Sequence, residues 1–232
     1  MKHWRKRFLQ LNYCDGLDIS SSGTTGKPKK IHRTYENIKT CIHYACMGQE
    51  INSHSKILTV TRLTHAGGSL LQTIPAMHIG AHVDCEQFNP YTFLKKINNY
   101  THTFLPPAMM ESLIKTKGWQ SCDLTGIRVV GGSDIVPWYL IEEFVSKGAI
   151  VQPNWGMSEV GPCCINATYR TQEDIDKHKD NWYILGDTFY VDWKINNREL
   201  YVKSKQSIYD DWFATGDLVY ESNGVLYYIG RK

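Results

Sequence analysis

Ser20-Ser21-Ser22-Gly23-Thr24-Thr25-Gly26-Lys27-Pro28-Lys29-Lys30 follows a short β-forming run at residues 17–19 and sets glycines, hydroxyls and lysines side by side. Glycine lets backbone N–H groups turn toward an anion, the hydroxyls add donors, and Lys27 and Lys29 add positive charge. The stretch reads as a phosphate-wrapping loop entered from a strand, where the bland alternative is a flexible Ser/Gly turn. It is not the common P-loop. That motif needs a glycine five places before Gly26 and Ser or Thr after the lysine, where this chain has Ser21 and Pro28. Kinase-type and GTPase-type readings therefore lose support.

Outward from the loop, short β-rich runs alternate with amphipathic stretches, the pattern of βαβ units and a parallel sheet. Ile38, Cys41, Ile42 and Ala45 recur at helical spacing behind a Thr34 cap. Residues 56–61 predict a strand, 69–78 a buried helix and 81–85 another strand. Asn89-Pro90 opens the next helix, 101–105 is a strand, and a helix runs through 110–117. Residues 127–130 predict a buried strand leading into Gly131-Gly132-Ser133, then a helix over 137–148 and a strand over 149–152. Beyond Gly161 the pattern turns β-rich, with strands at 189–195, 199–203, 218–221 and 225–229. Asn196-Asn197 and Asn223-Gly224 predict hairpin turns, and the charged segment 172–181 predicts a loop or surface helix. The fold class predicted is α/β: a mostly parallel sheet flanked by helices, followed by a small β-rich subdomain. The corresponding division is an N-terminal extension at 1–16, an α/β part at 17–165 and the β-rich part at 166–232.

The 232 residues suffice for a real core without staples. A net charge of +3 with scattered basic residues makes no demand for nucleic acid. The start is basic but Gln10 and Asn12 interrupt its apolar run, and no stretch reaches the roughly 18 apolar residues of a membrane span. A cytoplasmic protein is expected. The seven cysteines show no CxxC spacing, so reduced thiols are expected.

The string Ser22-Gly23-Thr24-Thr25-Gly26-Lys27-Pro28-Lys29 resembles the phosphate-binding signature of the adenylate-forming superfamily, which includes acyl-CoA synthetases, luciferases and adenylation domains. Lys30 departs from the glycine usual there. Later motifs follow in that superfamily's order. Gly131-Gly132-Ser133 resembles the small-residue turn against the adenine and acyl pocket. Asn154-Trp155-Gly156-Met157-Ser158-Glu159 resembles its aromatic-Gly-x-Thr-Glu segment, which implies Trp155 on the adenine, Ser158 at the phosphate and Glu159 on Mg²⁺. Thr215-Gly216-Asp217 resembles the Thr-Gly-Asp whose carboxylate accepts both ribose hydroxyls, and Gly230-Arg231 the Gly-Arg that opens the inter-domain hinge, which implies Arg231 near the ribose and phosphate of the nucleotide. Taken singly, Trp155 could be a core aromatic, Glu159 a surface charge and Asp217 a turn residue.

The resemblance implies ATP as substrate, with AMP as product, Mg²⁺ as cofactor and CoA as a possible acceptor. Thr24, Lys27, Ser158 and Glu159 are the implied catalytic groups. Leu63-Thr64-His65-Ala66-Gly67-Gly68 sits where acyl- and aryl-CoA ligases line the carboxylate pocket, making His65, Gly67, Gly68 and Gly131 the substrate-binding candidates. No aspartate lies nearby for a substrate ammonium, which favours a fatty or aromatic acid over an amino acid. Complete relatives add a long segment before the loop and, after the hinge, a mobile domain bearing a catalytic lysine. The expectation is therefore nucleotide binding with weak thioester synthesis unless a separate polypeptide supplies that domain. A homodimer covering exposed apolar surface is a further possibility. The alternatives in function are a nucleotide-binding pseudoenzyme and an interaction module.

Overall fold

The computed structural model describes residues 13–20, 29–179 and 182–232. Strands β1 (Leu17–Ser20) and β2 (Lys30–Arg33) form an antiparallel hairpin whose closing pair is Ser20 opposite Lys30. The principal sheet comprises β3 (Lys56–Thr59), β4 (His82–Cys85), β5 (His102–Leu105), β6 (Arg128–Gly131), β7 (Ile150–Met157), β8 (Gly161–Asn166) and β10 (Thr188–Phe189), in the order β10-β8-β7-β6-β5-β3-β4. From β4 to β7 all neighbours are parallel, while β8 and β10 add antiparallel pairings. A second, antiparallel sheet follows the order β11-β12-β13-β14-β9. Its strands are β9 (Tyr183–Gly186), β11 (Asp192–Asn196), β12 (Glu199–Lys203), β13 (Phe213–Ser222) and β14 (Val225–Arg231). The α/β class with its mostly parallel sheet and β-rich part is thus the observed one.

Strands β5 and β6 are buried on both faces, which is why they read as unbroken apolar runs. Side chains alternate between two helical layers. Leu58, Leu105, Val129 and Val151 join a core with Phe93, Met110, Leu113, Leu140 and Phe144, from helices Pro90–Lys96, Pro107–Ile114 and Trp138–Ser146. Phe104 and Val130 face the opposite way, toward Ala45 and Leu71. Fully burying each large apolar side chain contributes about 1.5–3 kcal/mol.

Local signals act as expected at several helix starts. Thr34 Oγ1 accepts the Asn37 N–H ahead of helix Tyr35–Gln49, whose buried positions include Ile38, Cys41, Ile42 and Ala45. Asn89 Oδ1 accepts two N–H groups, from Tyr91 and Thr92, with Pro90 at the first helical position. The buried helix expected over 69–78 is present but interrupted, with Ser69–Thr73 widened to a π turn between Ala66–Gly68 and Ile74–His78. Pro75 has no N–H for the Leu71 carbonyl four residues back, and the buried amide of Gln49 takes that carbonyl at 2.7 Å instead.

Several boundaries differ from the sequence expectation, among them the helix expected through 110–117, which is Pro107–Ile114, and the strand expected at 218–221, which is Phe213–Ser222. The strand expected at 149–152 continues to Met157 and folds back through Ser158-Glu159-Val160 into β8, so the Asn154–Met157 motif lies on a strand. The run at 189–195 is two strands. Thr188–Phe189 pairs with β8 and Asp192–Asn196 with β12, so the chain passes from one sheet to the other between them. The first hairpin turn is Asn197-Arg198, one residue later than expected, with φ of 50° and 66°; Asn223-Gly224 falls as expected, with φ of 52° and 81°. The division proposed at residue 165 passes through β8. Val160, Cys164 and Ile165 of that hairpin share a core with Leu185, Leu200, Val202, Val219 and Leu226 of the second sheet. Cys41, Cys46, Cys122, Cys163 and Cys164 are free thiols. Burial pushes the Cys41 thiol up to about 11 and that of Cys163 up to about 12, which leaves both as packing groups.

Candidate functional site

The chain runs from β3 outward to β4, then returns to the other side of β3 to lay down β5, β6 and β7. That reversal creates a crevice above the carboxyl ends of β3 and β5, the place where open α/β sheets bind ligands. A cleft of about 690 Å³ lies there. His65, Ala66 and Gly67 from the segment after β3, Phe104 from β5, and Ser133 to Val136 after β6 line one side; the motif 153–159 and Thr215, Gly216, Asp217 and Arg231 line the other.

The phosphate-loop candidates Ser22, Gly23, Thr24, Thr25, Gly26 and Lys27 lie outside the described residues. The flanks of that loop are defined. Ser20 N–H donates to the Thr64 carbonyl at 2.8 Å, beside His65, and Lys29 lines the cleft. Both flanks of the loop therefore stand at the cleft.

Asp217 anchors the far wall. Thr215-Gly216-Asp217 belongs to β13 rather than to a turn, and Gly216 takes φ of 77°, a left-handed conformation that suits glycine. Asp217 is 4% exposed. Trp155 Nε1 donates to its Oδ2 at 3.0 Å, and Arg231 Nη1 donates to its Oδ1 at 2.8 Å. Burial raises the Asp217 carboxyl above the ordinary carboxylate value, against the opposing pull of the indole N–H and the guanidinium. A carboxylate has about four acceptor positions, so each oxygen retains capacity for a further donor. Trp155 and Asp217, 62 residues apart, thus form one unit.

The turn Ser158-Glu159-Val160 closes the β7–β8 hairpin at the cleft, where Ser158 and Glu159 are both lining residues. Asn154 Nδ2 donates to the Pro162 carbonyl at 2.8 Å, bracing the same hairpin. Across the cleft, Gly67 presses on Phe104: a Cβ at residue 67 would come within 2.6 Å of the Phe104 ring. Phe104 is itself packed against Leu71 and Val130 from behind, so its ring is held as the floor of this part of the cleft. Ser133 lies on the same side, its Oγ 3.4 Å from where a Cβ at residue 67 would stand, and takes φ of 67°, an uncommon conformation for a non-glycine residue and one concentrated at functional sites. Gly68, Gly131 and Gly132 stand behind the lining, the first and last permitting close backbone approach and Gly131 making room for the Val136 side chain. A Cβ on Gly132, for example, would meet the Asn154 carbonyl at 2.7 Å.

Phe104, Arg33 and Gln206 were not identified from the sequence. Phe104 could have been found as a large side chain at the carboxyl end of a buried strand. Arg33 carries the signal of a cation on the inward face of an alternating strand, in phase with Ile31.

These features define an α/β protein with a nucleotide-sized cleft at its topological switch point, walled by glycine turns on one side and a buried carboxylate on the other. The sequence matches the AMP-binding enzyme family over residues 19–203, and the chain belongs to that family. It is similar to the indoleacetate–CoA ligase of Aromatoleum aromaticum, 29% identical over 240 residues covering 91% of this chain and 46% of the relative. Among solved structures it resembles the N-terminal domain of FACL13 from Mycobacterium tuberculosis, with a TM-score of 0.81 and 18% identity over 96% of this chain and 62% of that one. It also resembles the Bacillus subtilis O-succinylbenzoate coenzyme A synthetase in complex with ATP and magnesium ion. There the TM-score is 0.77 at 23% identity, over 92% of this chain and 49% of that one. The chain spans about half the length of the curated relative. Among the described residues no helix is long and apolar enough to cross a membrane.

Proposed function

We propose that the chain binds ATP and activates a carboxylic acid as its acyl adenylate. The observation that carries this reading is the pairing of Trp155 with the buried Asp217 carboxylate in the wall of the cleft that Ser158, Glu159 and Lys29 also line. In this arrangement Asp217 accepts the ribose hydroxyls, Trp155 packs on the base, and Ser158 with the 22–29 loop donates to the phosphates. Glu159 suits Mg²⁺, which is commonly held by one or two carboxylates plus substrate phosphates rather than by a protein cage. When bound, the ion supplies charge neutralisation at the phosphates.

The acid occupies the side lined by His65, Gly67 and Phe104. One oxygen of its carboxylate attacks the ATP α-phosphorus, forming the acyl–O–P bond as the bond to pyrophosphate breaks. The protein's part is positioning and electrostatic stabilisation, with Lys29 and the Ser158 hydroxyl beside the developing charge. The apolar walls of Leu71, Phe104 and Val136 favour an aryl or fatty acid, and the similarity to an indoleacetate ligase points the same way. Transfer to CoA would be a later step.

Pyrophosphate exchange into ATP tests the reading. Exchange that depends on an aryl or fatty acid and on Mg²⁺ is expected. Nucleotide binding with no acid able to stimulate exchange would favour the non-catalytic nucleotide-binding alternative. Gly67→Val should lower acid-dependent exchange by about 5- to 150-fold while leaving ATP affinity within about threefold of wild type, because overpacking against Phe104 costs about 1–3 kcal/mol locally. Calorimetric titration with ATP checks the second half of that expectation.

A further inference from the structure

Arg33 closes β2, immediately after the phosphate-loop hairpin, and its side chain is fully buried. One terminal nitrogen, Nη1, donates to the Gln206 carbonyl, and the other, Nη2, donates to the Ser158 carbonyl at 2.7 Å. Nε has no hydrogen-bond partner, and the surroundings include the uncharged thiols of Cys41 and Cys164. No ion pair of Arg33 occurs among the described residues. A buried guanidinium held only by two carbonyls is a costly way to fasten a fold, because neither carbonyl neutralises its charge.

What the guanidinium joins is informative. Ser158 begins the turn that presents Ser158 and Glu159 to the cleft, and Gln206 lies in the segment between β12 and β13. That segment holds the same turn a second time, since Ile208 N–H donates to the Glu159 carbonyl at 3.0 Å. Gln206 Nε2 also bonds the Cys163 carbonyl at 2.9 Å, which ties the segment to β8. The carbonyls of Ser158 and Glu159 are thus both fixed, and Arg33 links them to the strand leaving the phosphate loop.

We propose that Arg33 is a positioning residue. Its planar fork fixes the Ser158-Glu159 turn to β2, so that the Ser158 hydroxyl and the Glu159 carboxylate meet a nucleotide's phosphates and their Mg²⁺ together. This role rests on the nucleotide reading above. It concerns the phosphate end of the ligand and leaves the ribose contact to Asp217 untouched.

The test compares ATP with Mg²⁺ against adenosine, which lacks phosphate, by calorimetry on wild type, Arg33→Met and Arg33→Lys. Arg33→Met is expected to weaken ATP·Mg²⁺ at least about tenfold and adenosine less than about twofold. Arg33→Lys is expected to lose most of the same factor, since one ammonium cannot span two carbonyls in the geometry of the fork. A purely structural role would lower the melting temperature and leave the ratio of the two affinities at its wild-type value, and that result would overturn the proposal. Arg33→Lys with wild-type ATP·Mg²⁺ affinity would overturn the fork. Wild-type protein that binds neither ligand would remove the nucleotide reading itself, a failure distinct from an unchanged ratio in the variants.

Discussion

Asp217→Ala should weaken ATP and AMP binding by about 100-fold or more, because hydrogen bonds to a charged acceptor contribute about 1.5–3 kcal/mol each and two ribose hydroxyls would lose theirs. The carboxylate is 4% exposed, so solvent does little to screen those bonds. Equal affinity in calorimetric titrations of variant and wild type would remove the ribose assignment. The pH dependence follows from the raised carboxyl. Its ionised form is the one that accepts, so nucleotide affinity should fall on acidification at a pH above that of an ordinary aspartate, and Asp217→Asn should abolish that step. The sign for stability is opposite. A carboxyl with a raised folded-state value favours the fold when protonated, and that contribution is lost as pH rises through the raised value. The ligand-free Asp217→Asn protein should therefore be slightly more stable than wild type at pH 7 while binding nucleotide more weakly. Thermal melts with and without ATP separate the two effects.

Trp119→Ala should produce the largest loss of stability, about 3–5 kcal/mol, from emptying a fully buried indole site. Trp119 is 2% exposed, its ring lies 4.6 Å from that of Phe144, and its Nε1 donates to Glu143 at 3.1 Å. At roughly 2–4 °C per kcal/mol for a domain of this size, the melting temperature should drop by about 10 °C. The indole packs in the core shared with Leu140 and Phe144, on the sheet face opposite Phe104. Nucleotide affinity measured well below the melting temperature should therefore stay within about twofold of wild type, since changes at distant sites are nearly additive. A variant that melts normally would contradict the packing described for that layer.

Much of the architecture was legible because its cues are local. The alternation of short apolar runs with helical periodicity at Ile38, Cys41, Ile42 and Ala45 follows from side-chain geometry along a single element. So do the caps at Thr34 and Asn89, which satisfy backbone donors within three residues of themselves. The Asn223-Gly224 turn is local in the same sense. The hairpin between β7 and β8 was less legible, because Asn154–Met157 reads as a motif and carries no clear alternation. The crossing of the chain between sheets after Phe189 left no local mark either, since each half of that run looks like ordinary strand.

Residue chemistry in sequence order was sufficient to nominate Ser158, Glu159, Trp155 and Asp217, to indicate an α/β sheet and to point to a phosphate-binding loop. Sequence alone could not say that the Trp155 indole would donate to the Asp217 carboxylate, that Phe104 would meet Gly67, or that Arg33 would join Ser158 to Gln206. Those contacts depend on strand order and on the packing of two sheets around a shared core. Local periodicity carries no information about which distant segments become neighbours, so the folded chain alone settles them.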